Sequence, residues 1–130
     1  MTNLVNGMPV HNNEFQQIYK RLRLMMLESA AALEVVKDEP GSLQIYTSHI
    51  MKNKQALYFG GVVINKNYVS YHLMPVYVTP ELLNQISPEL KRRMQGKSCF
   101  NFKVADTSLF TELDHLTHQC FESYRLQGYI

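Results

Sequence analysis

The chain has 130 residues, 45% of them apolar and 18% charged, which suits one domain around one core and excludes a multidomain enzyme. Thirteen Lys and Arg against 11 Asp and Glu give a net charge of +2, which excludes a strongly basic nucleic-acid binder and is too little to predict membrane binding from charge alone. Two cysteines, Cys99 and Cys120, supply no disulfide framework.

Residues 1–12 are rich in Asn with Gly7 and Pro9, and read as a flexible arm ahead of a single α+β domain over 13–127. Asn13 before Glu14 reads as a helix start. Phe15, Ile18, Leu22, Met25, Met26, Ser29 and Leu33 then recur at steps of three and four, one apolar stripe. A short β-like run at 33–37 leads into Pro40-Gly41, which suits the centre of a type II turn. Leu43, Ile45 and Thr47 alternate with Gln44, Tyr46 and Ser48, so the second strand has two unlike faces. Residues 56–64 are the most apolar run and predict a central strand, in which Gly60-Gly61 marks a bulge or a close approach.

Asn65-Lys66-Asn67 is a tight turn into a strand over 68–73. Met74-Pro75 interrupts it, and 76–78 reads as extended. Thr79-Pro80-Glu81 and Ser87-Pro88-Glu89 are two helix starts, predicting short helices over 80–85 and 88–95 with Gly96 as the stop. A last strand over 98–104 puts Phe100 and Phe102 on one face and Cys99, Asn101 and Lys103 on the other. Asp106 or Thr107 caps a final helix whose stripe is Leu109, Phe110, Leu113, Leu116, Cys120, Phe121 and Tyr124. The predicted fold is a two-layer α+β domain. An antiparallel sheet of about five strands carries the N- and C-terminal long helices on one face, with short helices before the last strand.

No phosphate loop, nucleophile elbow or closely spaced cysteine pair is present. His115 and His118, three apart, read as part of a solvated helix face rather than a metal clamp, and His49 as a surface residue. Lys91, Arg92, Arg93, Lys97 and Lys103 are the one basic concentration and read as a solvated basic helix. The polar sheet face is the better candidate: strand alternation brings Tyr46, Tyr68, Ser70, His72, Cys99, Asn101 and Lys103 to one side. Against a pocket stands a half-wet face of cross-strand pairs, or a face buried between two copies. Cys99 with His72 as base is the one nucleophile pair the face offers.

The runs Tyr58-Phe59-Gly60-Gly61-Val62-Val63-Ile64, Lys66-Asn67-Tyr68-Val69-Ser70-Tyr71-His72-Leu73, Pro80-Glu81-Leu82-Leu83, Ser87-Pro88-Glu89-Leu90 and Met94-Gln95-Gly96-Lys97-Ser98-Cys99-Phe100-Asn101-Phe102-Lys103 resemble the YdhG-like family of small bacterial domains. The resemblance spans about residues 14 to 125 and rests on overall pattern rather than a catalytic signature. It implies a cytoplasmic α+β domain of unknown function, with some members described as frataxin-like intracellular iron chaperones. Iron handling is associated with clustered carboxylates, and this chain has only 11 acids, thinly spread. The residues matching the pattern that would line a pocket are Lys66, His72, Lys97, Cys99, Asn101 and Lys103.

The expected function is non-enzymatic binding of a small or anionic ligand on the polar sheet face, with Tyr46, Lys66, Tyr68, Ser70, His72, Lys97, Cys99, Asn101 and Lys103 as its residues. The alternatives are an iron chaperone, by the resemblance, and a thiol-dependent enzyme using Cys99 and His72. No catalytic or metal-ligating residue is assigned, and no cofactor is indicated. A homodimer is expected and nucleic acid is not. The first dozen residues carry no leader-like pattern and no run of about 18 apolar residues exists, so a cytoplasmic protein without a membrane span is expected.

Overall fold

The computed structural model describes residues 10–130; the arm expected over 1–12 lies mostly outside them. Helix α1 (Val10–Ser29) begins ahead of the Asn13 start and buries Phe15, Ile18, Tyr19, Leu22 and Met26 along one stripe. Tyr19, absent from the predicted stripe, has its ring in the core and its hydroxyl donating to the Glu39 carbonyl at 3.1 Å. Six strands follow: β1 (Glu34–Glu39), β2 (Ser42–Ile50), β3 (Ala56–Ile64), β4 (Val69–Leu73), β5 (Met94–Gln95) and β6 (Cys99–Phe102). Between β4 and β5 lie α2 (Met74–Val78), a 3-10 helix (Pro80–Gln85) and α3 (Pro88–Lys91), and α4 (Thr107–Leu126) closes the fold.

The described strands form one sheet in the order β1-β2-β3-β4-β6-β5, every neighbouring pair antiparallel. Both long helices cover the same side. Phe59 meets Phe121 and Tyr124 of α4 with ring centroids 6.4 and 5.9 Å apart, and a Cβ on Gly60 would come within 3.0 Å of the Met26 methyl of α1. Leu43, Ile45, Val62, Tyr71, Leu73, Phe100 and Phe102 point into that layer and are fully or almost fully buried. The molecule is therefore a two-layer α+β domain, and the opposite sheet face has no helix over it among the described residues.

Gly60 and Gly61 do both things the sequence allowed. Ile45 pairs with Gly60 but Tyr46 with Tyr58, so Phe59 is the extra residue of a bulge. On the helix side a Gly60 Cβ would sit 2.4 Å from the His72 carbonyl oxygen. On the open side a Gly61 Cβ would sit 2.5 Å from the Leu43 carbonyl oxygen and from the Tyr58 hydroxyl. Main-chain atoms cannot step aside at such distances, so both positions need a residue without a side chain.

Four local expectations are corrected. Residues 74–78 form α2 rather than an extended segment, with Pro75 at its start and Pro75 and Val76 buried. Thr79 makes no side-chain cap; its hydroxyl accepts from Gln127 Nε2 at 3.2 Å instead. The helix expected over 88–95 stops at Lys91, because Met94 and Gln95 pair with Phe100 and Cys99 as β5. Gly96 (φ +75°) serves the turn of that hairpin rather than a helix end. The expected caps Ser87 and Asp106 do accept from Leu90 N and Leu109 N, each at 3.1 Å.

Candidate functional site: the open sheet face

Directly paired residues of an antiparallel sheet share a face. The pairs His72–Cys99, Ser70–Asn101, Gly61–His72, Gln44–Gly61 and Tyr46–Tyr58 therefore define the open side across four strands. The pairs Glu34–Tyr46, Lys37–Gln44 and Glu39–Ser42 extend it to the β1 edge. Of the residues expected on one side, Tyr46, Ser70, His72, Cys99 and Asn101 stand there in register. They do not form one pocket but two adjoining clusters.

The first cluster is aromatic. Tyr58 lies over the space left by Gly61 and donates its hydroxyl to Gln44 Oε1. Its ring is tilted against Tyr46 at 4.9 Å and edge-on to His72 at 5.1 Å. His72 Nε2 meets Ser98 Oγ at 2.7 Å. Burial holds the His72 imidazole below its usual range and pushes the Cys99 thiol and the Tyr58 phenol above theirs. All three are thus neutral near pH 7, and the cluster carries no charge.

The second cluster is an amide and cation groove at the β5–β6 end. Asn65 Nδ2 donates to Ser70 Oγ at 2.9 Å, Ser70 Oγ donates to Asn101 Oδ1 at 2.7 Å, and Asn101 Nδ2 donates to Gln95 Oε1 at 2.7 Å. The Asn101 and Gln95 end of this chain lines a groove of about 450 Å3, together with Tyr68, Arg92, Arg93, Met94 and Lys103. The Asn101 backbone N–H donates to the Arg93 carbonyl at 2.8 Å, which fixes the Arg93 backbone against β6. Arg92 lies 3.7 Å from Glu89, an exposed pair of little energetic weight. Arg93 and Lys103 make no ion pair among the described residues. The Gln95 carboxamide is bonded through its oxygen only, so its N–H donors have no partner among the described residues.

Tyr68 and Lys103 join this groove rather than the aromatic cluster. Lys66 is exposed in the β3–β4 turn and lines neither cluster. Lys97 is exposed in the β5–β6 turn with its Nζ 6.0 Å from the Tyr77 ring. Arg92 and Arg93, expected on a solvated helix, lie beyond its single turn and face the groove. Their charge was visible in the sequence; the early end of the helix was not. Tyr58 and Gln44 were also missed; strict alternation from Gly61 turns Tyr58 toward the helices, and only the Phe59 bulge brings it beside Tyr46.

His49 and His118 stay apart from this face. His118 is exposed with its Nδ1 2.9 Å from the Asp114 carbonyl oxygen, and His49 packs its ring 4.8 Å from Tyr129. Among the described residues no three His, Cys, Asp or Glu side chains stand together as a metal site, and no helix is long and apolar enough to cross a membrane. Comparison with protein-family models, with curated proteins and with solved structures finds no match for this chain.

Proposed function

We propose that the chain is a non-catalytic binding domain whose open sheet face takes a small anionic ligand. The observation that carries this is the groove in which Arg93 and Lys103 stand without ion-pair partners among the described residues, beside a row of hydrogen-bonded amides. An anion there gains charge-assisted hydrogen bonds from the two cations, and from Arg92 once it swings from Glu89. Gln95 supplies neutral donors whose positions are held through Asn101.

The thiol reading has less support. Catalysis by Cys99 requires a thiolate, and burial moves the Cys99 thiol up and the His72 imidazole down, both away from an ion pair. The iron reading would need clustered carboxylates, and the groove's charged lining is basic.

Titration calorimetry with pyrophosphate at low salt tests the proposal. Binding is expected, weakening as salt rises. Arg93→Gln and Lys103→Gln should each weaken it about tenfold, the order of one charged hydrogen bond. No heat, or variants that bind like the parent, would contradict it.

A further inference from the structure

The anion groove has a wall that phosphate alone does not use. Tyr68 is half-buried among its lining residues, yet its side chain enters no ring pair and no hydrogen bond among the described residues. It follows the tight turn at Asn65, whose backbone N–H donates to the Tyr68 carbonyl at 2.8 Å, so its main chain is held while its ring is not committed to the core. The same groove is lined by Gln95, whose side-chain N–H donors have no partner among the described residues. One groove thus offers cations, an uncommitted aromatic surface and a planar amide edge.

Those three features match three parts of one ligand class. We infer, building on the anion reading above, that the groove takes a free nucleoside phosphate: phosphate on Arg93 and Lys103, the base against Tyr68, and a polar edge of the base toward Gln95. The groove's volume of about 450 Å3 suits one nucleotide rather than a strand. Charge points the same way. Away from the groove the open face passes through the neutral Tyr58–His72–Cys99 cluster to β1, where Glu34 and Glu39 outnumber Lys37. A polynucleotide needs a row of cations along its backbone, and this face supplies them at one end only.

The test compares AMP, ribose 5-phosphate, inorganic phosphate and a single-stranded decanucleotide by calorimetry on the whole chain. AMP is expected to bind about tenfold more tightly than ribose 5-phosphate, the order of one base stacked on an aromatic ring. Tyr68→Leu should bring the two together while phosphate binding persists, and Tyr68→Phe, which keeps the ring, should retain the preference. Equal affinity of the wild type for AMP and ribose 5-phosphate would overturn the nucleotide assignment and leave the anion reading standing. Failure of all the probes to bind would overturn both. A decanucleotide that binds more tightly than AMP would overturn the free nucleotide in favour of a strand.

Discussion

His72 is a half-buried histidine of the open sheet face whose surroundings favour the neutral ring. It touches the Ser98 hydroxyl, meets the edge of Tyr58 and lies opposite Cys99 in the ladder. Burial lowers its proton affinity, while Cys99 and Tyr58, both pushed up, stay uncharged and offer an imidazolium no counter-charge. Below about pH 6.5 the unfolded chain therefore binds more protons at this position than the folded one. The sign follows: this contribution to stability is whole above that pH and is lost as pH falls through the folded value. Thermal unfolding at about pH 7.5 and 5.5 should show a drop in midpoint on acidification, and His72→Gln should make that drop smaller. An unchanged drop in the variant would show that His72 is not the group that titrates.

The elements are joined by buried polar contacts as well as by apolar area. Thr117 of α4 donates its hydroxyl to the Leu113 carbonyl at 2.8 Å, so in its 2.8 Å contact with Tyr71 of β4 the tyrosine is the donor. Both residues are fully buried. Thr117→Val leaves the Tyr71 hydroxyl without a partner and should cost about 1–3 kcal/mol, read by urea unfolding. Adding Tyr71→Phe should recover part of that loss, because the orphaned group then disappears; a double variant less stable than Thr117→Val would contradict the assignment. At this scale much of the fold was legible, because a stripe at steps of three and four admits few readings. The stripes of α1 and α4, the Pro40-Gly41 turn with Gly41 at φ +82°, and the Gly60-Gly61 irregularity all appear in the chain itself. Residues 74–78 did not, since a run with two valines and a tyrosine reads locally as extended. Burial of Pro75 and Val76 overrides that preference, and no local rule reports burial.

At the scale of the molecule, two long helices cover one sheet face and leave the other without a helix over it among the described residues. Its candidate site was legible where strand alternation governs: Tyr46, Ser70, His72, Cys99 and Asn101 stand on the open side as parity requires. It was illegible where a bulge or a helix end resets the geometry. Tyr58 reaches the open face only because Phe59 is an extra residue. Arg92 and Arg93 reach the groove only because α3 ends after one turn so that Met94 can pair with Phe100. Lys66 and Lys97 share the sequence neighbourhood of the site but sit in turns, where alternation assigns no face. The outcome is a face graded from cations at β5–β6, through neutral rings, to excess carboxylate at β1. The measurement that tests this account most directly is a backbone amide NMR titration with inorganic phosphate. The account predicts progressive shifts at Arg93, Gln95, Asn101 and Lys103, with the β1 edge and the outer faces of α1 and α4 unmoved. Shifts centred on β1 or the helix layer, or none at saturating phosphate, would contradict it.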